Sequence, residues 1–179
     1  DEDEKLRKVL EELRRVVEEV KRRSDKALED AERVLRRVKK EDRDANKKAE
    51  DELRRVIDEN KESEELIREI ERLLKEVREH SKEVEDRIDE LLKRIEEHSR
   101  KVKKDIERLL EEIDREVKRK ERPVDEILKR IEELMKEIRK LVKEDVDRIR
   151  DLVRRIDEES KENVKEIERV ADEIRERIR

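Results

Sequence analysis

The apolar positions of this chain recur with an 18-residue period that keeps its phase over helix-length blocks. From Ile70 the chain reads IERLLKEVREHSKEVEDR, from Ile88 IDELLKRIEEHSRKVKKD, and from Ile106 it opens again as IERLLEEIDREV. Eighteen residues make five turns at 3.6 residues per turn, so the stripe stays on one face of a straight helix. A seven-residue period would instead wind the stripe into a left-handed supercoil.

Three such stripes can be followed. The first runs through Leu6, Leu10, Leu13, Val17 and Val20, then Ala27, Ala31, Leu35 and Val38, and continues in phase through Ala45, Ala49, Leu53 and Val56. After Asn60 the phase jumps. A second stripe begins near Leu66 and Ile70 and holds to Val117, and a third runs from Val124 to Ile178 on the same template. Each spans an arc of about 120°, the width that suits a helix facing two neighbours.

The phase breaks carry the only punctuation. Residues 59–63 read ENKES, where Asn60 can end one helix and Ser63 cap the next, with Glu64 and Glu65 at its positive end. Residues 119–123 read RKERP, which places Pro123 in the first turn of a third helix with Asp125 and Glu126 behind it. The terminal charges follow the helix dipoles: DEDE opens the chain, KRK closes the second helix and RERIR the third. The spacing therefore predicts helices over about 2–60, 63–119 and 123–178. Short connections make successive helices antiparallel neighbours. The expected fold is all-α: a long up-down-up three-helix bundle of near-straight helices, one domain over residues 1–179.

Composition sharpens this picture. The charged fraction is 63% and the hydrophobic fraction 31%, with no aromatic residue and no glycine. Such a balance would suggest disorder, but the net charge is only −5 and acidic and basic residues sit three or four apart, where they support helices. An isolated charge-rich helix would lack an apolar stripe; this chain carries one throughout. No cysteine is present, so disulfides and thiolate metal sites are excluded. No apolar run exceeds two residues, which argues against a membrane span or a signal-peptide core. Interspersed charges leave no basic footprint for nucleic acid, and there is no ring to stack on a base. The chain reads as soluble, without a targeting segment and compatible with cytoplasmic expression.

Several slots of the stripe hold polar residues. His80-Ser81 and His98-Ser99 occupy the slots filled by Leu134-Met135, Leu152-Val153 and Val170-Ala171 in the third helix. Asp145 and Asn163 take the slot of Ile127, and Ser160 that of Val124 and Val142. In the first helix Ser24 and Asp42 share the slot of Leu6, and Asn46 that of Leu10 and Leu28. In an up-down-up bundle these positions gather at two levels. Ser24, His98, Ser99 and Asp145 form one; Asp42, Asn46, His80, Ser81, Ser160 and Asn163 form the other. Ala27, Ala31, Ala45 and Ala49 flank them and would leave room for larger polar groups.

The expected role of these layers is structural: buried hydrogen-bond networks in which each histidine bridges a carboxylate or amide and a hydroxyl. A periodic bundle can slide by one repeat with little apolar penalty, and unlike polar layers oppose the slip. The plain alternative is a wet boundary, because the histidine slots lie at the edge of the stripe. Chemistry is the remote option. One imidazole and at most two carboxylates per layer fall short of a metal site. Ser24, His98 and Asp145 match a triad by residue type only, since the amides of a continuous helix are already bonded and offer no oxyanion hole. No catalytic, metal or cofactor-binding residue is expected, and Met135 is core filling.

Taken together, the absence of aromatics and glycine, the 18-residue template, the charge-matched ends and the paired polar layers resemble de novo designed parametric three-helix bundles with buried hydrogen-bond networks. The resemblance covers the whole chain. Spectrin-type natural repeats match poorly, as they carry aromatic core residues and less regular heptads. The resemblance implies a hyperstable scaffold with no natural biochemical function, no cofactor and no required partner. Its alternative is one component of a designed homo- or hetero-oligomer that completes its core by self-association or with a partner helix.

Overall fold

A computed structural model describes residues 2–119 and 123–178. Three helices account for nearly all of them: α1 (Glu2–Glu59), α2 (Glu64–Lys118) and α3 (Val124–Ile178). The protein is an all-α three-helix bundle. Helices of 58, 55 and 55 residues form without interruption because nothing inside them breaks a helix. Glycine is absent and the single proline lies outside all three.

The first connection shows how the helices stop. Asn60 N–H donates to Val56 O at 3.1 Å, and its side-chain Nδ2 donates to the same carbonyl at 3.0 Å, closing the end of α1. Ser63 N–H then donates to Asn60 O at 3.1 Å, and Ser63 O accepts from Ile67 N–H at 3.1 Å, which makes Ser63 the residue from which α2 starts. The closure by Asn60 matters because α1 has no basic residue in its last turn to offset its dipole.

The start of α3 differs by one residue from the sequence expectation. Pro123 stands just before the helix, with its carbonyl accepting from Glu126 N–H at 3.0 Å and Ile127 N–H at 3.3 Å. At that flanking position the missing proline N–H leaves no bond unmade, while the carbonyl begins the helical ladder. Of the turn and terminal residues named from the sequence, Asp1, Lys120, Glu121, Arg122 and Arg179, with the Arg177 and Ile178 side chains, lie outside the described residues.

The chain divides into two compact units, each built from a stretch of every helix. One takes Asp1–Ala31 and Lys93–Asp151, the other Glu32–Leu92 and Leu152–Arg179. In the first unit Leu13, Val16, Val17 and Val20 of α1 pack with Val102, Ile106, Leu109 and Ile113 of α2. Ile127, Ile131, Leu134, Met135, Ile138 and Val142 of α3 complete that core. Cross-helix pairs give the direction of packing: Arg130–Glu112 and His98–Asp145 join α2 to α3 with residue numbers running oppositely.

In the second unit Leu53 and Val56 pack with Ile70, Leu74 and Ile174. There Lys39–Asp89, Arg43–Glu85 and Arg78–Glu50 pair α1 with α2 in antiparallel order. Arg37–Asp157 and Arg175–Glu52 pair α1 with α3 in parallel order. The succession up, down, up follows from these pairs. Among the described residues no large hydrophobic side chain is exposed, so the stripes are covered within the chain.

Candidate functional site: two buried polar clusters

Six polar or charged side chains are buried among the described residues: Ser24, Asp42, Asn46, Ser99, Asp145 and Ser160. All six stand in stripe slots, so helical phase alone turns them inward. The other four residues of the two levels, His80, Ser81, His98 and Asn163, are half-buried. They lie at the stripe edge, where a side chain reaches both the core and water.

In the first unit the three helices meet at Asp145. This α3 carboxylate is fully buried, at 0% exposure. His98 of α2 approaches its Oδ1 through Nδ1, and a carboxylate can only accept, so the ring N–H donates. Ser24 Oγ of α1 donates to Oδ2 at a long 3.5 Å. Among the described residues Ser99, though buried beside them, adds no bond to this carboxylate. The wiring disposes of the triad by its own logic. A nucleophilic serine needs a histidine to take its proton, whereas here Asp145 stands between the two and Ser24 donates to the acid.

The second unit holds a different arrangement. Asn46 Nδ2 donates to Asp42 Oδ2 at 3.1 Å, one helical turn away on α1. Asp42 Oδ1 and Asn46 Oδ1 are buried and have no hydrogen-bond partner. Burial pushes the Asp42 carboxyl above the usual carboxylate range, opposed by the charge of His80 and by the Asn46 bond, and assisted by Glu85. His80 makes no hydrogen bond among the described residues. The bridging role expected of each histidine is thus present at His98 and missing at His80. The reason is placement: Asp145 faces His98 from another helix, while Asp42 bonds along its own.

The flanking alanines differ as well. Ala27, Ala31 and Ala49 are buried, and Ala45 is half-buried. Ala27 forms the floor of a groove between α1 and α3 in the first unit, with Val20, Val142 and Val146. Its rim mixes Arg23, Lys26, Arg139, Lys143 and Arg150 with Glu19, Asp30 and Asp147, so it presents no single charge to a ligand. Sequence reasoning missed this groove and the part played by Glu85. The groove could have been read from small residues in consecutive stripe slots. Glu85 could have been found as the acid one turn beyond Ser81 on the same edge.

Among the described residues no three of His, Cys, Asp and Glu gather where a metal ion could be held, and no helix is long and apolar enough to cross a membrane. The chain matches no protein-family model, and no curated protein or solved structure is significantly similar to it.

Proposed function

We propose that this chain is a structural scaffold of the de novo designed kind, with no natural substrate, whose two buried polar layers specify helix pairing and register. The observation that carries the reading is the Asp145 carboxylate, fully buried and bonded from both other helices. A contact of that kind is satisfied in one register only. If α3 slid by one repeat toward the second layer, Ile127 would replace Asp145 beside Ser24 and His98. Asp145 would then leave both of its donors and become a buried acid without a partner. Apolar slots tolerate such a slip because the template repeats; unpaired buried charges oppose it.

Coverage of every large apolar side chain among the described residues supports a chain that satisfies its own core, since an open bundle would leave a long apolar strip. The test is solution molar mass by light scattering, with refractive-index detection because the chain has no aromatic absorbance. A species of 22.1 kDa at millimolar concentration is expected. A stable dimer would favour the assembly component, with its core completed between chains. The register role is tested in the Ser24→Ala, His98→Leu, Asp145→Leu variant by native mass spectrometry and two-dimensional amide spectra. Multiple species or doubled resonances are expected; a single unchanged monomer would remove the register role.

A further inference from the structure

The bare oxygens of Asp42 and Asn46 in the second unit have a common solution. We infer that Asp42 is a neutral carboxylic acid in the folded protein, paired with Asn46 in a cyclic acid–amide couple. In this couple Asn46 Nδ2–H donates to Asp42 Oδ2, as observed at 3.1 Å, and Asp42 Oδ1–H donates to Asn46 Oδ1. One proton thereby satisfies both orphaned atoms, Asp42 Oδ1 and Asn46 Oδ1. The ionised form would leave a carboxylate at 1% exposure with a single hydrogen bond and the Asn46 carbonyl with none. Buried acceptors without donors are rare because they forfeit their hydration. The residues lie one turn apart, the spacing at which side chains on one helix face meet.

The surroundings favour the neutral form on balance. From α2, Glu85 adds negative charge and disfavours a second anion, while His80, when protonated, favours the ionised acid. Glu85 is itself held by Arg43 of α1 at 2.8 Å, which tempers its effect. From α3 the slots at this level hold Ser160 and Asn163, both uncharged; the acid beside Ser160, Glu159, forms an ion pair with Arg87 of α2 at 2.7 Å, although its buried Oε2 takes no hydrogen bond. Among the described residues His80 is the one cation that shifts the balance toward the ion. Burial dominates and raises the Asp42 carboxyl above its ordinary value.

This makes the couple a proton-loaded latch. Between the unfolded value near 3.8 and the raised folded value, the native state holds one more proton than the unfolded chain. Its stabilising effect is therefore complete below the unfolded value and is lost as pH rises through the folded one. Ordinary paired carboxylates behave in the opposite sense. Each pH unit separating the two values is worth about a tenfold change in the folding constant.

The test combines a direct and an indirect measurement on the full chain. Carbon-13 carboxyl shifts of labelled aspartates are followed from pH 2 to 8, with Asp42 assigned by its absence in Asp42→Asn. The expected result is one aspartate that titrates above the rest. Co-titration of Asp42 with the exposed aspartates would overturn the proposal. In guanidinium unfolding at pH 7, Asp42→Asn supplies two amides that can make the same pair of bonds without a proton. It is expected to be at least as stable as the parent and to lack the parent's excess stabilisation on acidification. A less stable Asp42→Asn together with a weakened His80→Asn at pH 5.5 would show an Asp42–His80 ion pair instead, and the couple would be wrong.

Discussion

Removing the His98 ring alone should cost this protein more than removing it together with Ser24 and Asp145. Asp145 is 0% exposed, and its two oxygens receive the His98 Nδ1–H and a long 3.5 Å bond from Ser24. In His98→Leu the carboxylate keeps only the weaker donor. Breaking one partner of a buried pair costs about 3–5 kcal/mol. The His98 side chain is 32% exposed, so water reaches the gap and the lower figure applies, about 3 kcal/mol. That is roughly a hundredfold in the folding constant or a little more. Ser24→Ala, losing a bond at the limit of useful geometry, should cost at most about 1 kcal/mol. The combined Ser24→Ala, His98→Leu, Asp145→Leu variant removes charge and partners together. It should be neutral or more stable than the parent by about 1–4 kcal/mol. The assay is guanidinium unfolding at pH 7 followed by far-ultraviolet circular dichroism, since no aromatic side chain is available for fluorescence. The order expected is triple variant, parent, Ser24→Ala, His98→Leu, from most to least stable. A His98→Leu loss below about 0.5 kcal/mol, or a triple variant less stable than every single one, would refute the hub role of Asp145.

Other sites respond through simpler physics, and the same unfolding assay reads them. Leu134 is at 0% exposure in the first unit's core, so Leu134→Ala should lose about 2–5 kcal/mol by opening a cavity; a loss under 1 kcal/mol would mean the site collapses freely. Ala31, at 3% exposure, has no space to grow, and Ala31→Leu should cost about 1–3 kcal/mol through overpacking. Asn60→Ala removes the side-chain bond to Val56 O and should cost about 1 kcal/mol, with faster hydrogen exchange confined to the end of α1. Arg43→Ala breaks a surface pair with Glu85 whose Arg43 side chain is 63% exposed, so the change should stay within about 1 kcal/mol and vanish in high salt.

Much of the fold was legible because the hydrophobic stripe is one-dimensional information. An apolar residue every three or four positions orients a helix face whatever lies opposite, and the phase jump after Asn60 marks where that face must turn. The helix boundaries at Glu59, Glu64, Lys118 and Val124 lie within a residue of those read from phase and punctuation. Pro123 shifted outward by one because a helix ladder begins at the first accepting carbonyl, which side-chain chemistry does not reveal. The inward direction of Ser24, Asp42, Asn46, Ser99, Asp145 and Ser160 followed from the same phase.

Partners were another matter. His80 and His98 occupy equivalent slots of one template, separated by a single repeat, and the sequence makes them interchangeable. Tertiary packing separates them: Asp145 on α3 comes within reach of His98, while Asp42 on α1 bonds its neighbour Asn46 and leaves His80 only an electrostatic role. Nor could the surface pairs be chosen in advance from 54 basic and 59 acidic residues. Periodicity determines the direction in which each side chain leaves its helix, a property of the local backbone. Distances between atoms on different helices depend on axis separation and side-chain rotamers, which only the assembled core determines. The stripe and its breaks thus belong to the sequence by itself, whereas the bonded partners, the Asp42–Asn46 pair among them, exist only in the packed bundle.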